Sequence, residues 1–92
     1  MAKASARHIL VKDEAFCKEL IDKIKNGEDF EKLAKEHSKC PSGRNGGDLG
    51  EFGPGQMVPE FDTVVFNEEV GIAHGPVKTN FGFHIVEITS RS

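Results

Sequence analysis

The apolar positions change period several times along this chain, and each change predicts an element. In Ala6 to Val11 the residues alternate, with His8, Leu10 and Lys12 on one face and Ile9 and Val11 on the other, which predicts a first strand. From Phe16 the period becomes helical: Phe16, Leu20 and Ile24 lie four apart, with Cys17 and Ile21 beside them and charged residues elsewhere. Asp13 is placed to cap that helix and Asn26-Gly27 to end it. Asp29 caps a second helix, with Phe30, Leu33, Ala34 and His37 at helical spacing, that ends near Ser38. Cys17 reads as a small apolar residue of the core, and His37 as a helix-end histidine favoured by the C-terminal dipole.

Periodicity then stops. The run from Cys40 to Met57, CPSGRNGGDLGEFGPGQM, is too rich in glycine and proline to be helix or strand throughout. A flexible linker has no use for Cys40, Leu49, Phe52 or Met57, whereas a turned loop that binds something does. Pro59 to Asn67 reads as a short helix with Pro in its first turn, although Thr63 to Phe66 would also suit a strand. Gly71 to Gly75 reads as a turn, Pro76 to Thr79 as a brief edge strand, and Asn80-Phe81-Gly82 as a turn into a last strand, Phe83 to Thr89. That strand is apolar on both faces, with His84, Val86 and Ile88 on one and Phe83, Ile85, Glu87 and Thr89 on the other. It should be central, with helices over one face and a lined cavity on the other. The grouped helices and the order β-α-α-(short helix/loop)-β-α-β-β predict an α+β fold with a small antiparallel sheet.

Composition narrows the function. Ninety-two residues suit a single domain spanning 1–92. Seven phenylalanines carry all the aromatic surface, so they mark the core or a pocket. A net charge of -3 argues against reliance on phosphate contacts, hence no nucleic acid partner is expected. The N-terminal residues lack the pattern of a cleaved signal and no segment is apolar enough to span a bilayer, so a cytoplasmic protein without membrane contact is expected, with both cysteines as thiols.

His8 and His84 occupy the first and last strands, and neighbouring strands would let both imidazoles share one face, with Cys40 able to join them. Zinc uses these residue types, but there is no C-x2-C or H-x3-H pair and no evident fourth ligand. A thiol hydrolase would need an orienting carboxylate or amide, an oxyanion hole and a cleft in a chain with little room for them. Histidines hydrogen-bonded within a small core are the plainest alternative.

Beyond this the motifs themselves speak. HILV at 8–11, F-x-x-L-A-K-x-x-S at 30–38, C-P-S-G-x-x-G-G-D-L-G-x-F at 40–52, G-Q-M-V-x-x-F at 55–61, G-P-V-x-T at 75–79 and F-G-F-H-I at 81–85 run in order over nearly the whole chain. In these the chain resembles the parvulin family of peptidyl-prolyl cis/trans isomerases, and most of all its small, stand-alone bacterial members. The resemblance implies the parvulin-like (FKBP-like) superfold, a four-stranded antiparallel sheet with about four short helices around it. It implies a cofactor-free, metal-free, monomeric isomerase acting on X-Pro bonds of unfolded, nascent or flexible polypeptides. It also assigns residues: His8, Cys40, Thr79 and His84 to the catalytic centre, Leu49, Met57 and Phe61 to a proline pocket, and Phe81 to its rim.

On that basis His8 and His84 are expected to hydrogen-bond each other, with Thr79 orienting one end and Cys40 facing the substrate carbonyl. Phosphate-directed relatives carry a long basic loop after the first strand. Here Val11 leads through Lys12-Asp13-Glu14 directly into a helix, so apolar or unselective residues before proline are expected. A proline-peptide binding module or holdase without useful turnover would fit the same pocket.

Overall fold

The computed structural model describes residues 3–92, and its order of elements follows the changes of period. Strand β1 is Ala4–Val11, helix α1 Glu14–Lys25 and helix α2 Phe30–His37. A 3-10 turn, Pro41–Asn45, leads into strand β2, Asp48–Phe52, and then come helix α3, Pro59–Asn67, and strands β3, Ala73–Thr79, and β4, Gly82–Arg91. The strands form one antiparallel sheet in the order β2-β1-β4-β3, so the two strands that carry the histidines are the central neighbours.

The helix limits have local causes. The Asp13 carboxylate accepts from the Phe16 amide at 3.3 Å and that of Asp29 from the Glu31 amide at 3.2 Å, each satisfying an amide that has no partner inside its helix. Pro59 opens α3, where a missing N–H costs nothing, and the Thr63 to Phe66 stretch is helical rather than extended. The Arg91 guanidinium donates to the carbonyls of Val65 and Glu68, closing the other end of α3.

The sheet separates two apolar clusters. On one face Ile9, Val11 and Ile85 pack against Cys17, Leu20 and Ile21 of α1 and Phe30, Leu33 and Ala34 of α2. Arg7 and Glu87, on the same face, pair at 2.7 Å, and the Arg7 guanidinium lies 4.6 Å from the centre of the Phe30 ring. On the other face Ala4, Ala6, Val77 and Val86 pack against Phe52 and against Phe61 and Val65 of α3. α3 covers only part of this face.

β1 and β4 run slightly longer than the sequence reading, and the start of β3 departs from it most. β3 begins at Ala73, inside the stretch read as a turn, because Ala73 and His74 pair with Glu87 and Val86 of β4. Between His74 and Val77 the register slips by one residue. Consequently Ala73 faces the α1 and α2 side while Val77 and Thr79, of the same parity, face the other side. Gly75 occupies the slip with φ +150, where a Cβ would meet the His84 carbonyl oxygen at 2.7 Å.

The second strand, for which the sequence pattern set no limits, lies inside the glycine-rich run. That run is ordered by contacts with β1. The His8 amide donates to the Gly47 carbonyl at 2.9 Å, and Gly47 has φ +86 at a place where a Cβ would run into the His8 carbonyl. The Ser38 hydroxyl accepts from the amides of Leu10, at 3.1 Å, and Cys40, at 3.3 Å, fixing the start of the loop.

Candidate active site

Where α3 stops covering the sheet, a cavity of about 520 Å³ opens over β1 and β4. Its wall is mostly apolar: Leu10, Leu49, Met57, Val58, Phe61 and Phe81 line it together with His8, His84 and Cys40. Phe61 is 3% exposed and stands edge-on to both imidazoles, 5.6 Å from His8 and 5.9 Å from His84 between ring centres. Phe81, in the β3–β4 turn, is 58% exposed at the rim, and the Lys12 ammonium holds that turn by donating to the Phe81 carbonyl at 2.8 Å.

Below the apolar wall runs a line of polar groups. His8 Nδ1 lies 3.0 Å from His84 Nδ1, His8 Nε2 lies 3.0 Å from Ser42 Oγ, and His84 Nε2 lies 2.7 Å from Thr79 Oγ1. The Phe81 amide donates to Thr79 Oγ1 at 3.2 Å. The central contact carries one proton, so one ring holds its hydrogen on Nδ1 and the other on Nε2. If His8 donates, its Nε2 accepts from the Ser42 hydroxyl and His84 donates to Thr79. If His84 donates, its Nε2 accepts from the Thr79 hydroxyl and His8 donates to Ser42. Both arrangements satisfy every ring nitrogen, and both require two neutral rings.

Burial enforces that neutrality. His8 and His84 are each 5% exposed, and burial, aided by the neighbouring His84, pushes His8 from 6.5 down to about 4. Burial also lowers His84. At neutral pH the pair is therefore a fixed chain of dipoles rather than an acid or base in exchange with solvent.

Each sequence-assigned residue reaches this cavity or the line beneath it, Cys40 among them. It lines the cavity half-buried, yet the group that meets His8 is the Ser42 hydroxyl rather than the thiol. Ser42 was not foreseen, although it stands within the C-P-S-G motif. Leu10 and Val58 were also missed as lining residues. Leu10 was detectable, since it shares the strand face of His8, whereas Val58 precedes a helix and has no periodic signal. Cys17 is no rival nucleophile: it is fully buried on the inner face of α1, and burial, with Glu14 nearby, raises its thiol to about 11. Among the described residues no group of three or more His, Cys, Asp or Glu side chains is arranged to hold a metal.

An antiparallel sheet with a half-covered face and an apolar cavity over a buried histidine pair offers a place for an apolar segment of a peptide. The chain matches the PPIC-type PPIase (rotamase) domain over residues 8–90, and it belongs to that family, the parvulins. It is 53% identical over 90 residues to the foldase protein PrsA of Geobacillus kaustophilus, covering 97% of this chain and 32% of that protein. The solved peptidylprolyl isomerase PrsA of Bacillus anthracis superposes with a TM-score of 0.96 at 40% identity, covering 99% of this chain and 42% of that one. The parvulin of Nitrosopumilus maritimus superposes with a TM-score of 0.88 at 37% identity, covering 98% of each chain. This chain thus spans about a third of the curated foldase and nearly the whole of the archaeal parvulin.

Proposed function

We propose that this domain accelerates rotation about X-Pro bonds in unfolded or flexible polypeptides, without a phosphate requirement and with apolar residues favoured before proline. The observation that carries the reading is the apolar cavity floored by the Ser42–His8–His84–Thr79 line. Cis and trans X-Pro bonds differ by only about 1 kcal/mol but are separated by a barrier on the order of 20 kcal/mol. The barrier is the resonance of the planar amide, which places negative charge on oxygen and positive charge on nitrogen. Twisting abolishes that separation, so an apolar, water-poor wall favours the twisted form relative to the planar one.

Leu49, Met57 and Phe61 are the residues for gripping the ring while the preceding carbonyl turns, with Phe81 and Val58 at the mouth. An acceleration of about 10^6 requires roughly 8 kcal/mol, more than one apolar side chain supplies. Orientation of the carbonyl by the histidine line and by the Cys40 thiol supplies the remainder in this mechanism. Cys40 acts here through its dipole and forms no bond. Cys40→Asp tests this, since substantial retained activity is expected, whereas complete loss in a folded variant points to thiolate attack.

The decisive experiment follows cis/trans exchange in an Ala-Leu-Pro-Phe peptide. A rate above the uncatalysed one is expected; none would leave a proline-peptide binder without turnover, which the same cavity would serve. We also propose a monomer, acting without nucleic acid or membrane and in the cytoplasm. The two free thiols suit a reducing compartment, and no helix among the described residues is long and apolar enough to cross a membrane. Light scattering and fractionation of the native host check these.

A further inference from the structure

The proline cavity has a neighbour. A recess of about 500 Å³ lies beyond it, lined by Lys35, Ser38, Lys39, Gly43 and Arg44, and the two share the wall Lys39-Cys40-Pro41. This recess is polar where the first cavity is apolar. Charge is distributed around the pair in one sense only. The chain has 15 acidic and 12 basic residues, yet Lys12, Lys35, Lys39 and Arg44 line the two spaces and no Asp or Glu does. Lys35 is offset by Glu31 at 3.0 Å, while Lys39 and Arg44 form no ion pair among the described residues.

We propose that the recess receives a carboxylate side chain, Asp or Glu, of the same polypeptide whose proline occupies the apolar cavity. This deepens the isomerase reading and rests on it. The shared wall spans two Cα–Cα steps, at most about 7 Å. An acidic residue two or three positions from the proline therefore reaches Lys39 and Arg44, and the residue next to proline stays in apolar surroundings. Two exposed cations strengthen binding modestly and in a salt-dependent way. The recess thus selects among proline sites in unfolded chains, favouring those with a nearby acidic residue.

The test walks a single Glu from the third residue before proline to the third after it in otherwise neutral peptides, each matched with Gln. Turnover is read by exchange NMR at low and high salt. At one position two or three residues from proline, Glu is expected to exceed Gln in kcat/KM by about 3- to 10-fold at low salt, with little difference near 1 M salt. Arg44→Glu, which borders only the recess, is expected to abolish or invert that ratio and leave the neutral peptides unchanged. Glu and Gln equal at every position, or a preference that survives Arg44→Glu, overturns the proposal. Should the neutral peptides show no turnover, the isomerase reading fails by itself. Titration of the same peptides against the Gly43 and Arg44 amides then decides the recess, with tighter binding of Glu peptides supporting it and equal binding overturning it.

Discussion

The two faces of the sheet use the same strands for opposite ends. On the α1 and α2 face two helices cover the strands, and Ile9, Leu20 and Ile85 are fully buried. On the other face, α3 and Phe52 fill one half, and the remaining half is left as a cavity over His8 and His84. The closed face buries apolar side chains almost alone. The open face buries two imidazoles and a hydroxyl, which is tolerable only because each meets a partner. Stability is therefore concentrated on one side and chemistry on the other, with the backbone ladder of β1 and β4 holding them in register.

Substitutions can break that division. Leu20→Ala on the closed face should cost about 2 to 5 kcal/mol in denaturant unfolding, with turnover per folded molecule unchanged. A comparable loss of turnover would mean the faces are not separable.

Acid should act on the open face first. His8 has a folded pKa of about 4 against 6.5 unfolded, so below 6.5 the unfolded chain binds the proton that the folded one refuses. Stability is then fully present above pH 6.5 and lost as pH falls towards 4, by on the order of 3 kcal/mol from His8. His84 adds in the same direction. His8→Phe should flatten this part of the profile of unfolding midpoint against pH, and an unchanged slope would show that the imidazoles are not what acid attacks.

Thr79→Val removes the partner of His84 Nε2 and of the Phe81 amide. It is expected to cost about 1 to 3 kcal/mol and to lower turnover more than Leu20→Ala does. Thr79→Ser, which keeps the hydroxyl, should restore most of both. The smallest stability effect is expected for half-buried Met57→Ala, below about 1.5 kcal/mol, but with kcat/KM down about 10-fold as the grip on the ring loosens. Equal effects on folding and kcat/KM would place Met57 in the core instead.

Much of this was legible in the chain itself, and for local reasons. Helical spacing of Phe16, Leu20 and Ile24, the caps at Asp13 and Asp29, and the alternation through His8 and Leu10 depend on neighbours a few residues away. The motifs also marked seven residues that reach the cavity and a Thr79 that lies beneath it. The missed ones depend on distant partners. Ser42 meets His8 across 34 positions of sequence, so no window along the chain contains the pair, and the His8–His84 contact, across 76 positions, was expected only through the family resemblance.

What the sequence determined by itself was which residues are apolar in which rhythm, where the helices start, and that a glycine-rich run must turn. Only the tertiary structure decided which side of the sheet each group serves. Thr79 shows the reason. By parity it belongs with Ala73, on the closed face, but the slip at Gly75-Pro76 rotates the strand so that its hydroxyl reaches His84. That slip is a property of pairing with β4, and pairing is settled by which whole register buries the most apolar surface while satisfying the backbone.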